Sequence, residues 1–168
     1  MLRLNKEDRR RLRKHLAFMS KLPEGKIYLN SWASGPLLNR KYITRSGAIR
    51  KDAMKKALPG GPLCGTVACV AGWLPWSMAD EPELRGKIRL ELDTCGAGVV
   101  IGKELFLTGE YNHQVSDFLF ASARGFGQLS HKEEAVRKLK FILDGSVDLN
   151  RRTANLFLEF FNSYRRYE

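Results

Sequence analysis

With 168 residues, 43% of them apolar and 28% charged, the chain carries enough apolar material for one sizeable core, which excludes a disordered polypeptide. The formal net charge of +11 points to partners that carry negative charge, and an odd set of cysteines (Cys64, Cys69, Cys95) suits reduced cytoplasmic thiols better than a secreted disulfide framework. Met1-Leu2-Arg3-Leu4 leads straight into a charged run, so no signal peptide is expected.

The excess positive charge sits in the first third. Residues 1–58 carry 16 Lys and Arg against Glu7, Asp8, Glu24 and Asp52, while residues 59–168 are close to neutral. Such an asymmetry makes a field that recruits polyanions or an acidic protein surface. The first predicted element is a helix from Asn5, a capping residue with Glu7 and Asp8 in the first turn, to about Leu22, where Pro23 ends it. Leu12, Leu16 and Met19 form its apolar stripe, and Arg9, Arg10, Arg13 and Lys14 fall mostly on the other side. His15 lies beside the stripe and reads as a half-buried histidine rather than a catalytic one.

A second basic cluster follows. Ser46-Gly47 opens a predicted short helix through Leu58, with Ile49, Ala53, Met54 and Ala57 inward and Arg50, Lys51, Lys55 and Lys56 outward. Arg40, Lys41 and Arg45 precede it with Tyr42 between them. Basic residues interleaved with an aromatic ring suit a nucleic-acid backbone plus an unstacked base. No recognisable nucleic-acid-binding motif accompanies them.

From Pro59 to Ala79 no residue is charged, yet Pro59, Gly60, Gly61, Pro62, Gly65, Gly72 and Pro75 interrupt the backbone bonding that a membrane helix needs. No membrane association is expected. The centre of this span is Cys64-Gly65-Thr66-Val67-Ala68-Cys69-Val70-Ala71-Gly72-Trp73. Gly65 permits a tight turn, Thr66 can cap a following helix, Ala68, Ala71 and Gly72 admit a close neighbour, and Trp73 closes the core. Cys64 and Cys69 would point to different faces of one helix, and their spacing does not match a zinc site. Structural packing is the leading reading, beside an anion-binding helix start at Gly65-Thr66 and a reactive thiol.

The string CGTVACVAGW resembles the C-G-T-x-x-C-x-A-G-W motif of small, uncharacterised bacterial and bacteriophage proteins. Lys26-Ile27-Tyr28-Leu29-Asn30-Ser31-Trp32 is similar to the aromatic segment that precedes the motif in that group, and Leu129-Ser130-His131-Lys132-Glu133-Glu134-Ala135 to its late helix start. The resemblance implies a phage or mobile-element origin and a scaffold role for the motif, and no chemistry.

Downstream, Ile88-Arg89-Leu90-Glu91-Leu92-Asp93 alternates like a half-buried strand, and Thr94–Gly98 can turn it into Val99-Val100-Ile101, a small hairpin. Gly96-Ala97-Gly98 lacks the rest of a phosphate loop. Asn112 is expected to cap a helix through about Ala123 that buries Val115, Phe118 and Leu119, with Gly125-Phe126-Gly127 breaking it. Ser130 and Glu133 form a capping box for a helix to Asp144-Gly145 with Val136, Leu139, Ile142 and Leu143 inward. A last helix from about Leu149 to Tyr164 presents Ala154, Phe157, Leu158 and Phe161 at helical spacing, with Arg165-Arg166 at its end. The expected fold is a mainly helical α+β single domain with one small hairpin and no repeat.

A cysteine-dependent enzyme would have to draw on Cys64, Cys69 or Cys95 with His113 or His131, oriented by Asp93 or Asp117, and the sequence completes no such constellation. No cofactor or metal is expected. The leading reading is a non-catalytic cytoplasmic protein, phage or mobile-element encoded, that binds nucleic acid or another polyanion through Arg9, Arg10, Arg13, Lys14, Arg45, Arg50, Lys51 and Lys55, in host takeover or counter-defence. The alternatives are an inhibitor or adaptor that docks on an acidic face of a host protein, with Trp32, Trp73 or Trp76 near the contact, and capture of a small anionic nucleotide at Gly65-Thr66.

Overall fold

Local signals at both ends fix the first helix, α1 (Lys6–Lys21): the Asn5 side chain accepts from the Asp8 amide, and the chain leaves helical geometry at Leu22, just before Pro23. The computed structural model describes residues 2–29, 33–58, 60–61, 67–94, 97–121 and 129–165. Leu12 and Met19 are fully buried and Leu16 packs at the core edge, as the stripe requires. The element order continues with β1 (Ala33–Ser34), α2 (Lys51–Lys56), β2 (Val67–Ala68), α3 (Leu74–Ser77), β3 (Arg89–Leu92), β4 (Gly98–Ile101), α4 (Asn112–Phe120), α5 (His131–Asp144) and α6 (Thr153–Arg165). The architecture is mainly helical α+β, with β3 and β4 forming the expected small antiparallel hairpin, Leu90 opposite Val100.

α5 starts at the Ser130–Glu133 capping box and ends at Gly145, whose positive φ of 73° is the left-handed stop that glycine favours. It runs antiparallel to α1, and each helix end is closed by a cation of the other. Arg9 Nη1 donates to the Leu143 carbonyl (2.9 Å) and Lys132 Nζ to the Leu22 carbonyl (2.6 Å). These are the carbonyls a helix C-terminus leaves without partners.

Four expectations need correction. The second helix begins at Lys51, because Ala48 bridges to Glu91 and Ile49 to Ile43, which holds residues before Arg50 in extended backbone. No helix starts directly after Thr66: Val67 and Ala68 are extended and pair antiparallel with Ser34 and Ala33, and helical geometry begins only with the tight turn Ala71–Trp73 that leads into α3. Asn112 is the first helical residue of α4 rather than its cap, and its side chain instead donates to the Glu104 carbonyl (2.6 Å). In α6 Phe157 and Phe161 pack against the core as expected, but among the described side chains the buried ones are Leu156 and Phe160, whereas Ala154 is exposed and Leu158 is 61% exposed. The face of α6 is chosen by Phe118 of α4, whose ring lies 4.9 Å from Phe157 and 5.7 Å from Phe160.

The described part of the uncharged motif, from Ala68 to Trp73, lies in the core. Ala68, Val70, Ala71, Trp73 and Leu74 are fully buried, and Gly72 is buried with them. Trp73 Nε1 donates to the Lys26 carbonyl (3.0 Å), and its ring packs on Trp76, 4.9 Å away between centroids. Trp76 Nε1 donates to the Met54 carbonyl (2.8 Å), so this stretch ties together the turn after α1, α2 and the core. Trp32, Cys64, Gly65, Thr66, Cys95 and the segment Gly125-Phe126-Gly127 lie outside the described residues. Among the described residues no helix is long and apolar enough to cross a membrane.

Candidate polyanion interface

The basic face of α1 meets an acidic turn that directly follows α3. Arg10 forms ion pairs with Glu7 (2.7 Å) and Glu81 (2.5 Å), and Lys14 pairs with Glu81 (2.6 Å) and with Asp80. Glu81 is 5% exposed, and the Arg10 hydrogen bonds, with Lys14 assisting against the effect of burial, hold its carboxyl down to about 2. Arg11, which the sequence placed in no role, is buried and pairs with Glu7 (3.0 Å) and Glu83 (2.8 Å) while donating to the Leu105 carbonyl (3.1 Å). These three cations are engaged by carboxylates of the chain itself. The signal that could have announced this was Asp80-Glu81-Pro82-Glu83, where the uncharged span ends abruptly in acid.

The remaining α1 cations are differently placed. Arg9 is half-buried on the Leu143 carbonyl with no carboxylate partner among the described residues, and Arg13 and Lys6 are exposed without an ion pair to a described residue. Together with Glu7 and Arg10 they border an open concavity of about 600 Å³.

The second cluster keeps its charge. Arg40, Lys41, Arg45, Arg50, Lys51 and Lys55 are all exposed, and none forms an ion pair with a described residue. Only Lys56 is compensated, by Asp52 one helical turn away at 3.6 Å. α2 presents Lys51 and Lys55 outward because Ala53 and Ala57 are buried and Met54 packs at the core edge. Arg45 lies in the turn closed by the Thr44 and Ala48 backbones, and Arg50 is the residue before α2. Tyr42, expected to offer its ring to a base, is half-buried against the core, and Lys41 Nζ covers it 4.8 Å from the ring centroid.

Of the groups named for catalysis, Cys64 and Cys95 lie outside the described residues. Cys69 is 3% exposed, and burial pushes its thiol pKa up, the opposite of what a nucleophile needs. His113 is 84% exposed beside Asp117 (2.9 Å), and His131 packs on Tyr28. His15 and Ser77 do form a 2.7 Å pair, but both are buried and the second imidazole nitrogen is bound to the Val70 carbonyl (3.0 Å). Among the described residues no group of three or more His, Cys, Asp or Glu is arranged to hold a metal ion.

Set against protein-family models, curated proteins and solved structures, the chain matches none of them. Exposed cations without a carboxylate partner attract phosphate or carboxylate groups without selecting a base sequence.

Proposed function

We propose that this protein is a non-catalytic binder of nucleic acid or a similar polyanion. The observation that carries the reading is the run Arg40, Lys41, Arg45, Arg50, Lys51 and Lys55, exposed and free of ion pairs to described residues, with Arg13 and Lys6 of α1 as a further contact. Leaving this many like charges uncompensated opposes compaction, and their electrostatic benefit comes when an anionic partner releases its counterions on binding. Arg10 and Lys14 belong to the scaffold of this surface and Arg45, Arg50, Lys51 and Lys55 to its contacts. The resemblance of the 64–73 motif to bacteriophage proteins supports a place for such binding in host takeover or counter-defence in the host cytoplasm.

The test is fluorescence anisotropy of nuclease-treated protein with a labelled DNA duplex and a labelled single strand at low and at raised salt. Binding that collapses as salt rises supports the reading. No binding at low salt overturns it and transfers the basic surface to an acidic host protein, to be captured from bacterial lysate.

A further inference from the structure

At the C-terminal end of α1 the chain turns through Pro23 and the short turn Glu24–Lys26, and brings Tyr28 against His131, the first residue of α5. The two rings meet edge to face with centroids 4.7 Å apart and planes at 67°. The backbone N–H of Leu29 donates to His131 Nδ1 (3.5 Å), and the Tyr28 N–H donates to the Ala68 carbonyl (3.1 Å), so both rings stand on anchored backbone. Tyr28 is nevertheless 43% exposed. Among the described residues the exposed large apolar side chains are Tyr28, Ile101, Leu105 and Leu158, and of these Tyr28 alone is a ring. It borders a groove of about 360 Å³ whose other walls are Glu24, Gly25, Ile27, Ser130 and His131.

We propose that this groove takes an unpaired nucleobase from a single strand whose phosphates follow Lys6, Arg13 and Lys21, the exposed α1 cations without an ion pair to a described residue. The inference rests on the polyanion reading and adds the strand form. Its first support is the chemistry of the walls. Ile27 and the Tyr28 ring favour a flat, uncharged ring, and an edge-to-face contact with His131 does not consume both faces of Tyr28. The Glu24 carboxylate repels a phosphate and accepts from an exocyclic amino group. A cationic peptide side chain would also suit Glu24 and Tyr28, but a chain of net charge +11 repels a cationic segment before it arrives.

The second support is position. At 100° per residue, Lys6, Arg13 and Lys21 lie within about 80° of one another on the solvent side of α1, and the 1.5 Å rise spreads Lys6 and Lys21 over about 22 Å. All three are exposed. Lys21 stands in the last turn, and the groove lies just beyond that end, past Leu22 and Pro23. A backbone held along α1 past Lys21 leaves the helix at the end where the groove lies.

The experiment uses the whole protein and three labelled probes of equal length: a mixed-sequence DNA single strand, the same strand without bases, and the duplex. The intact strand is expected to bind about tenfold more tightly than the abasic one, a single stacking contact. Tyr28→Ala removes that preference while leaving the abasic affinity and its salt dependence unchanged, and Tyr28→Phe restores it. Thermal melting of both variants confirms that they fold. Equal binding of intact and abasic strands by the wild type, or a preference that survives in Tyr28→Ala, overturns the base groove and leaves the polyanion reading standing. Failure of all three probes at low salt overturns both.

Discussion

The phenol of Tyr111 donates a 2.6 Å hydrogen bond to Oδ2 of Asp8, and neither residue is more than 2% exposed. Asp8 also accepts from the Thr108 amide (2.9 Å), the Thr108 hydroxyl (3.1 Å), the Gly109 amide (3.0 Å) and Asn5 Nδ2 (3.0 Å), and the Asn5 amide donates to the Tyr111 oxygen (2.9 Å). A fully buried carboxylate is tolerated only when its oxygens are satisfied, and the first turn of a helix adds a favourable dipole. The cluster pins the start of α1 to the segment entering α4. Tyr111→Phe keeps the ring but loses the donor to Asp8 and the acceptor of the Asn5 amide, and a cost of about 1–3 kcal/mol is expected in urea unfolding. Asp8→Ala orphans the Thr108 and Gly109 amides as well and should cost more; an equal or smaller loss would show that the anchor lies elsewhere.

The buried His15 makes stability depend on pH. Its Nε2 faces the Val70 carbonyl, which only accepts, so Nε2 carries the proton and Nδ1 accepts from the Ser77 hydroxyl. The ring is neutral in the fold: burial, opposed by the bond to Val70, pushes its pKa down to about 4 from 6.5. Between those values the unfolded chain binds a proton that the folded chain refuses, so stability is full above about pH 6.5 and falls by up to about 3 kcal/mol as pH drops to about 4. Glu81 titrates lower, between 4.5 and about 2, and leaves this window to the histidine. Unfolding free energies at about pH 7 and about pH 4.5 should differ in the wild type and much less in His15→Gln. Equal pH slopes in the two proteins would contradict the burial of a neutral ring.

What the sequence made legible follows the range of the forces involved. Asn5 with Pro23, Ser130 with Glu133, and Gly145 are caps and stops that act within a turn, and α1 and α5 begin and end where those residues place them. The segment 46–50 reads as helix locally, yet 46–47 form a turn and 48–50 are extended, because their partners Glu91 and Leu90 come from a strand some forty residues away. The α6 stripe is half right for the same reason: Phe157 and Phe161 pack against the core, while Phe118 turns Leu156 and Phe160 inward in place of Ala154 and Leu158. At the interface, the excess of Lys and Arg is plain from composition, but which of them remain uncompensated depends on Glu81, 71 residues from Arg10. No local pattern in α1 shows that. Tyr28 was legible only as part of an aromatic segment; its exposure depends on where α5 begins.

Lys138 is fully buried between α4, α5 and α6, a position the helical pattern did not assign to a charge. Its ammonium donates to the Ala121 carbonyl (2.6 Å), pairs with Glu134 (2.7 Å), and lies 5.0 Å from the Phe157 and 5.6 Å from the Phe118 ring centroids. Burial lowers its pKa, with Glu134 acting against the shift. Lys138→Ala leaves the Ala121 carbonyl and the Glu134 carboxylate without their cation and opens a void among the Phe rings, so a loss of about 3–5 kcal/mol is expected. Lys138→Met with Glu134→Gln removes both charges, fills the volume and should recover most of that loss. Chemical denaturation of the two proteins decides it: a double variant no more stable than Lys138→Ala would mean that the charge pair itself holds the three helices together.

Arg10 and Lys51 carry the same formal charge and stand in opposite electrostatic surroundings. Arg10 compensates Glu81, which is 5% exposed, whereas Lys51 faces water with no ion pair to a described residue. Reversing Arg10 to Glu sets a second carboxylate against Glu81 and should destabilise the fold by about 1–3 kcal/mol. Lys51→Glu with Lys55→Glu should change stability by no more than about 0.5 kcal/mol each, because neither side chain touches the core. The same double reversal weakens binding to a labelled strand and flattens the dependence of log affinity on log salt by roughly 0.7–0.9 for each lost phosphate contact. Melting curves and salt titrations of the two variants separate the roles. If the Lys51/Lys55 variant bound with the wild-type salt slope, α2 would not be the face that meets the anion.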